Sequence, residues 1–131
     1  MTRTRQADVA SRQLSPCPWW PKCVCSRDDA SRLTRVEPFA VSGDAAVYFG
    51  RLKALVLCMP RTEVVTETDS YLHVVRRTRF GYPDDMEVCL FPAERVIHVR
   101  AASRLAPFWD FGVNRRRVER LRQQLESGPR I

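Results

Sequence analysis

The stretch RTEVVTETDSYLHVVRRTRFGYPDDMEVCLFPAERVIHVRAAS, residues 61–103, decides the fold. It holds four short runs rich in β-branched and aromatic residues: RTEVVTE (61–67), SYLHVVRRTRF (70–80), DMEVCLF (85–91) and RVIHVRAAS (95–103). The first two meet across Thr68–Asp69, the spacing of a tight hairpin, and the last two across Pro92–Ala93–Glu94. Connections this short join antiparallel neighbours and leave no room for a crossover helix. In the third run Met86, Val88 and Leu90 alternate with Glu87 and Cys89, which predicts a half-buried strand. The expectation is an α+β fold built on a four-stranded antiparallel meander.

One face of such a sheet needs cover. SGDAAVYFGRLKALVLCMP (42–60) supplies it: Ala45, Phe49, Leu52, Val56 and Met59 recur at helical spacing, and Val47 and Leu55 widen the stripe. Ser42 or Asp44 can cap the start, and Pro60 ends the helix. A second helix is expected over 111–126, within WDFGVNRRRVERLRQQL (109–125) and just beyond it. With Asp110 as cap, Phe111, Asn114, Val118, Leu121 and Leu125 share one face, while Arg115, Arg116, Arg117, Arg120 and Arg122 spread over the others. Gly128 and Pro129 stop it. Asn114 then points along the buried seam, which costs free energy unless its amide is hydrogen-bonded.

Residues 1–14 are polar and aperiodic and are expected to form a flexible tail, with one domain over 15–127. Pro16, Pro18 and Pro21 predict an irregular Pro/Cys-rich strap that carries Trp19 and Trp20 over the outside. The 131 residues suit a single domain, and 44% hydrophobic with 28% charged residues excludes a wholly disordered chain. The formal net charge is +7, and of 22 basic residues only Lys22 and Lys53 are lysines. No run approaches the ~18 apolar residues of a membrane-spanning helix. Nor does an apolar run follow the basic start, so the expected location is the cytoplasm unless an N-terminal extension precedes Met1.

Three blocks carry a family resemblance. PCPWWPKCVCS resembles a Cys-Pro-x-x-Pro-x-Cys-Val opening, and YLHVVRRTRFGYPDDMEV resembles a Tyr-x-x-x-x-x-Arg segment followed by Gly-aromatic-x-Asp-Asp-apolar-Glu. IHVRAASRLAPFWDFGVNRRRVERL resembles an ending with Arg-Ser-x-Ser-Arg and Asp-apolar-Gly-Val-Asn-Arg-x-Arg. In this order, from about Leu14 to Leu125, they resemble the uncharacterised bacterial and plastid family known as domain of unknown function 1499 (DUF1499). The resemblance implies a compact α/β domain and no established activity. Trp20, Lys22, Cys25 and Ala101 depart from the family pattern, and LAPFW (105–109) is a residue longer than usual.

Several chemistries can be weighed on these residues. Cys17, Cys23 and Cys25 give C-x5-C-x-C, which lacks the paired spacing of a zinc site, so no metal or cofactor is expected. A Cys17–Cys23 disulfide suits exported relatives, whereas in a reducing compartment these thiols pack as small hydrophobes. Asp110-Phe111-Gly112 lacks every other element of a kinase and reads as a helix start. One polar cluster remains: Asp84, Asp85, Arg100, Ser103, Arg104, Asp110, Asn114 and Arg117. Either it ties the loop to the last helix, or Arg104 and the helix N-terminus receive a small anionic ligand. The expectation leans away from catalysis, to a binding or scaffolding domain with its site at the Arg104–Asp110–Asn114 corner. The alternatives are a small enzyme using Cys or His, and binding of nucleic acid or an acidic partner along the arginines of the last helix.

Overall fold

The computed structural model of the chain describes residues 14, 15, 17, 23–27, 30–104 and 112–127. The expected meander is present: β3 (Thr62–Glu67), β4 (Tyr71–Arg77), β5 (Pro83–Phe91) and β6 (Val96–Ser103) pair antiparallel in succession. The sheet has six strands, however, because two short ones add to the outer edge of β6. β2 (Phe39–Ala40) pairs with Ile97 and Val96, and β1 (Cys23–Cys25) with Arg100 to Ala102. The Pro/Cys-rich segment is thus not simply an irregular strap. Its Cys23-Val24-Cys25 run is too short to show a period, yet an open strand edge offers unpaired N–H and C=O groups that a short extended segment satisfies.

Helix α1 (Ala45–Leu57) starts at Asp44, whose carboxylate accepts a hydrogen bond from Val47 N at 2.9 Å. It buries Tyr48, Phe49, Leu52 and Val56. Val47, expected in the stripe, is 63% exposed; Tyr48 covers that side instead, its ring under the Arg51 guanidinium. Helix α2 (Val113–Glu126) buries Asn114, Val118, Leu121 and Leu125, the expected face. Gly112 precedes it at φ 78°, a left-handed conformation that glycine adopts without a Cβ penalty. Asp110 and Phe111 lie outside the described residues, as do Trp19 and Trp20.

Both helices cover the same sheet face. Leu72, Val74, Met86, Val88, Leu90, Ile97, Val99, Ala101 and Val24 point at them and join their buried residues in one core. The other face is not open to water as a half-buried pattern implies, since Glu87 and Cys89 are buried as well. Leu14, at the expected end of the flexible tail, is itself buried against Tyr71 and Cys89 there.

Candidate functional site

At one end of the helix-covered face the apolar rows give way to polar residues. Arg76, Asp84 and Ser103 stand side by side on β4, β5 and β6. Above them the amide of Asn114 donates to Ser103 Oγ at 3.0 Å, and its Oδ1 accepts from Arg117 at 3.0 Å. The same guanidinium donates to Asp84 Oδ2 at 3.2 Å. Asn114 is fully buried and Asp84 and Ser103 nearly so, so these bonds satisfy groups that water cannot reach. Four of the eight predicted site residues therefore form a largely buried network, with Arg117 at its edge, that ties the sheet end to α2.

Asp85, Arg100 and Arg104 do not belong to it. Successive strand residues point to opposite faces, so Asp85 turns away from Asp84 and Arg104 away from Ser103. On the far face Arg104 grips Asp85 with two hydrogen bonds, at 2.7 and 2.9 Å, and His73 Nε2 lies 2.8 Å from the same carboxylate. Burial opposes ionisation of Asp85, but the bonds from Arg104 and His73 outweigh it and hold the carboxyl below its ordinary range. Of the expected Arg104–Asp110–Asn114 corner, Arg104 and Asn114 thus lie on opposite sides of the sheet, and Asp110 lies outside the described residues.

Besides Arg100, the far face holds residues absent from the cluster expected from sequence. His73, Glu87, Arg100 and Cys25 form one cross-strand row, and Tyr71, Cys89 and His98 the next. The Tyr71 hydroxyl donates to Glu87 Oε2 at 2.6 Å, while Arg100 approaches Glu87 at 3.8 Å and donates to the Ser15 carbonyl at 2.9 Å. Burial raises the Glu87 carboxyl despite these partners, raises the Tyr71 hydroxyl, and pushes the Cys89 thiol up to about 12. A buried, protonated thiol is the reverse of an activated nucleophile. His98 Nδ1 lies 2.8 Å from Ser26 Oγ, which also accepts from Val99 N at 2.8 Å, so this histidine is tied to the backbone beside β1. The signal that could have found the row is the strand period of two, applied to charged residues as well as to apolar ones.

Cys17 and Cys23 are joined in a disulfide; Cys25, Cys58 and Cys89 stand outside it. Such bridges are rare where thiols are kept reduced. No helix among the described residues is long and apolar enough to cross a membrane, and no group of His, Cys, Asp and Glu there has the arrangement to hold a metal ion.

The arginines of α2 are divided among tasks. Arg115 donates to the carbonyls of Leu33 and Arg35, both at 2.8 Å. Arg122 donates to those of Glu37 and Pro38 at 2.6 and 3.0 Å, pairs with Glu119 at 2.8 Å and lies over the Phe39 ring. Two of the five thus staple the 33–39 segment to the helix. Arg116 and Arg120 face elsewhere: with Arg76 and Arg117 they line a cavity of about 460 Å³ between α2 and the C-terminal end of α1. Among the described residues its other walls are Leu55, Cys58, Met59, Pro60, Val113, Leu121 and Gln124, none of them a carboxylate. Among the described residues, Arg76 Nε is the one buried side-chain polar atom without a hydrogen-bond partner. Burial lowers the pKa of Arg76, and the Arg117 and Arg61 charges lower it further against the opposing pull of Asp84.

No curated protein and no solved structure matches the chain. The family described as a protein of unknown function (DUF1499) matches residues 13–125, nearly the whole length, and the chain belongs to that family.

Proposed function

We propose that this domain is a non-enzymatic binding module for a small anionic ligand, held in the cavity between α1 and α2. The observation that carries this reading is the set of four guanidiniums, Arg76, Arg116, Arg117 and Arg120, that converge on one cavity, with no acidic residue among its described walls. Like charges brought together repel, and an anion relieves that repulsion while offering acceptors to a fork of N–H donors, Arg117 being already paired with Asp84 while Arg116 and Arg120 stand exposed at the mouth. The partnerless Arg76 Nε supports the same reading, because a buried donor left unpaired costs about 1–3 kcal/mol. Of the corner expected from sequence, this reading keeps Arg117 and assigns Asn114, Ser103 and Asp84 to its support. Arg104, gripped by Asp85 on the other face, is outside it.

The test is calorimetric titration of the intact protein with citrate at low ionic strength. One saturable site is expected, and the double variant Arg116→Glu/Arg120→Glu should lose it while keeping the wild-type circular dichroism. Equal binding by that variant, or no binding by the wild type, contradicts the reading. Added salt should weaken the site steeply, since its attraction is electrostatic.

A further inference from the structure

Resting on that reading, we infer that the ligand is amphipathic: a small carboxylate or phosphate monoester whose anionic head meets the guanidiniums and whose short apolar chain lies against α1. The cavity is unevenly lined. Arg76, Arg116, Arg117 and Arg120 supply charge, whereas Leu55, Met59, Pro60, Val113 and Leu121 supply apolar wall. Leu121 is buried, Leu55 and Met59 pack against the main core, and Val113 stands 37% exposed at the rim. A bare inorganic anion would meet the arginines and leave this wall wet. Size argues the same way. A volume of about 460 Å³ holds roughly fifteen waters at ~30 Å³ each, several times what a phosphate head displaces. It falls in the ~300–1,000 Å³ range of clefts that take organic ligands, though one side of it is open to solvent.

Charge and apolar wall act together in such a site. Apolar area removed from water gives affinity that scales with chain length, and the guanidiniums fix the orientation of the head. Cys58 lines the same cavity and is exposed, while Cys25 and Cys89 are buried, so alkylation of its thiol reports occupancy.

The experiment compares monomeric octyl phosphate with inorganic phosphate, hexyl phosphate and octanol on the unreduced full chain, by calorimetry and by the rate of Cys58 alkylation with neutral iodoacetamide. Octyl phosphate should bind at least tenfold more tightly than inorganic phosphate and slow Cys58 alkylation. Each added methylene should tighten binding up to about fourfold, the value for full burial. Equal affinity for octyl phosphate and inorganic phosphate overturns the amphipathic ligand and leaves the anion site standing. Octanol binding as tightly as octyl phosphate removes the anion from the account altogether. Binding without protection of Cys58 places the ligand elsewhere and overturns the inference. So does binding to vesicles of anionic phospholipid with none to monomeric octyl phosphate, because a membrane surface is then the partner. No binding of any phosphate defeats both readings.

Discussion

Asn114 concentrates the chemistry of the buried network in one side chain. Its amide donates to Ser103 and accepts from Arg117, and removing it leaves the buried Ser103 hydroxyl and the half-buried Arg117 guanidinium each short of a partner. Asn114→Leu has much the same bulk and should destabilise the fold by about 1–3 kcal/mol, read as a lowered urea midpoint; an unchanged midpoint would mean that the network contributes little. The two far-face carboxylates predict opposite responses to acid. Asp85 is held below its unfolded value, so folding favours its ionised form. That contribution is complete above the carboxylate range and is lost as pH falls through the depressed folded value. Asp85→Asn should therefore flatten the acid limb of the stability–pH curve. Glu87 is raised, so the native state holds its proton more tightly, and stability falls as pH climbs from the ordinary glutamate value through the raised one. Glu87→Gln should remove that decline, and urea midpoints across the acid range check both signs.

Helix α2 shows what its arginines do and how far an element can be read without coordinates. Arg122 donates to two carbonyls, pairs with Glu119 and covers Phe39, whereas Arg120 faces the cavity. Arg122→Ala should cost about 1–2 kcal/mol through lost bonds to charged and ring partners. Arg120→Ala should stay within about 0.5 kcal/mol, the usual range for a substitution away from such features. Comparable losses for both would contradict the division. The buried face Asn114, Val118, Leu121 and Leu125 was legible because a 3.6-residue period depends only on local geometry. The carbonyls that Arg115 and Arg122 meet lie some 80 residues earlier, at 33–38, in a segment with no period to announce it. Strand β1 stayed hidden for a related reason: three residues just after Pro21 carry no pattern, and only the free edge of β6 makes them a strand.

At the scale of the whole molecule, the sheet divides the chemistry into two assemblies that share strands but not surroundings. The sequence places Asp84 and Asp85 in a hairpin, and Ser103 and Arg104 by the loop after the last strand, two places expected to meet at one sheet end. The pleat sends each pair to opposite faces, so one carboxylate enters the buried network and the other meets Arg104 and His73. The meander, both helices and the inward Asn114 were readable from local period and loop length. The cavity was not, because it depends on how two helices far apart in sequence lean over the end of β4. Within this architecture the far face is held by paired charges and by Leu14, while four guanidiniums, among them Arg117 paired with Asp84, line the space between the helices. Amide chemical-shift mapping of the isotope-labelled protein during titration with octyl phosphate tests that assignment most directly. The account predicts saturating shifts at Cys58, Met59, Val113, Arg116 and Arg120, with His73, Asp85, Glu87 and Arg100 unmoved. Shifts confined to those four far-face residues would contradict it.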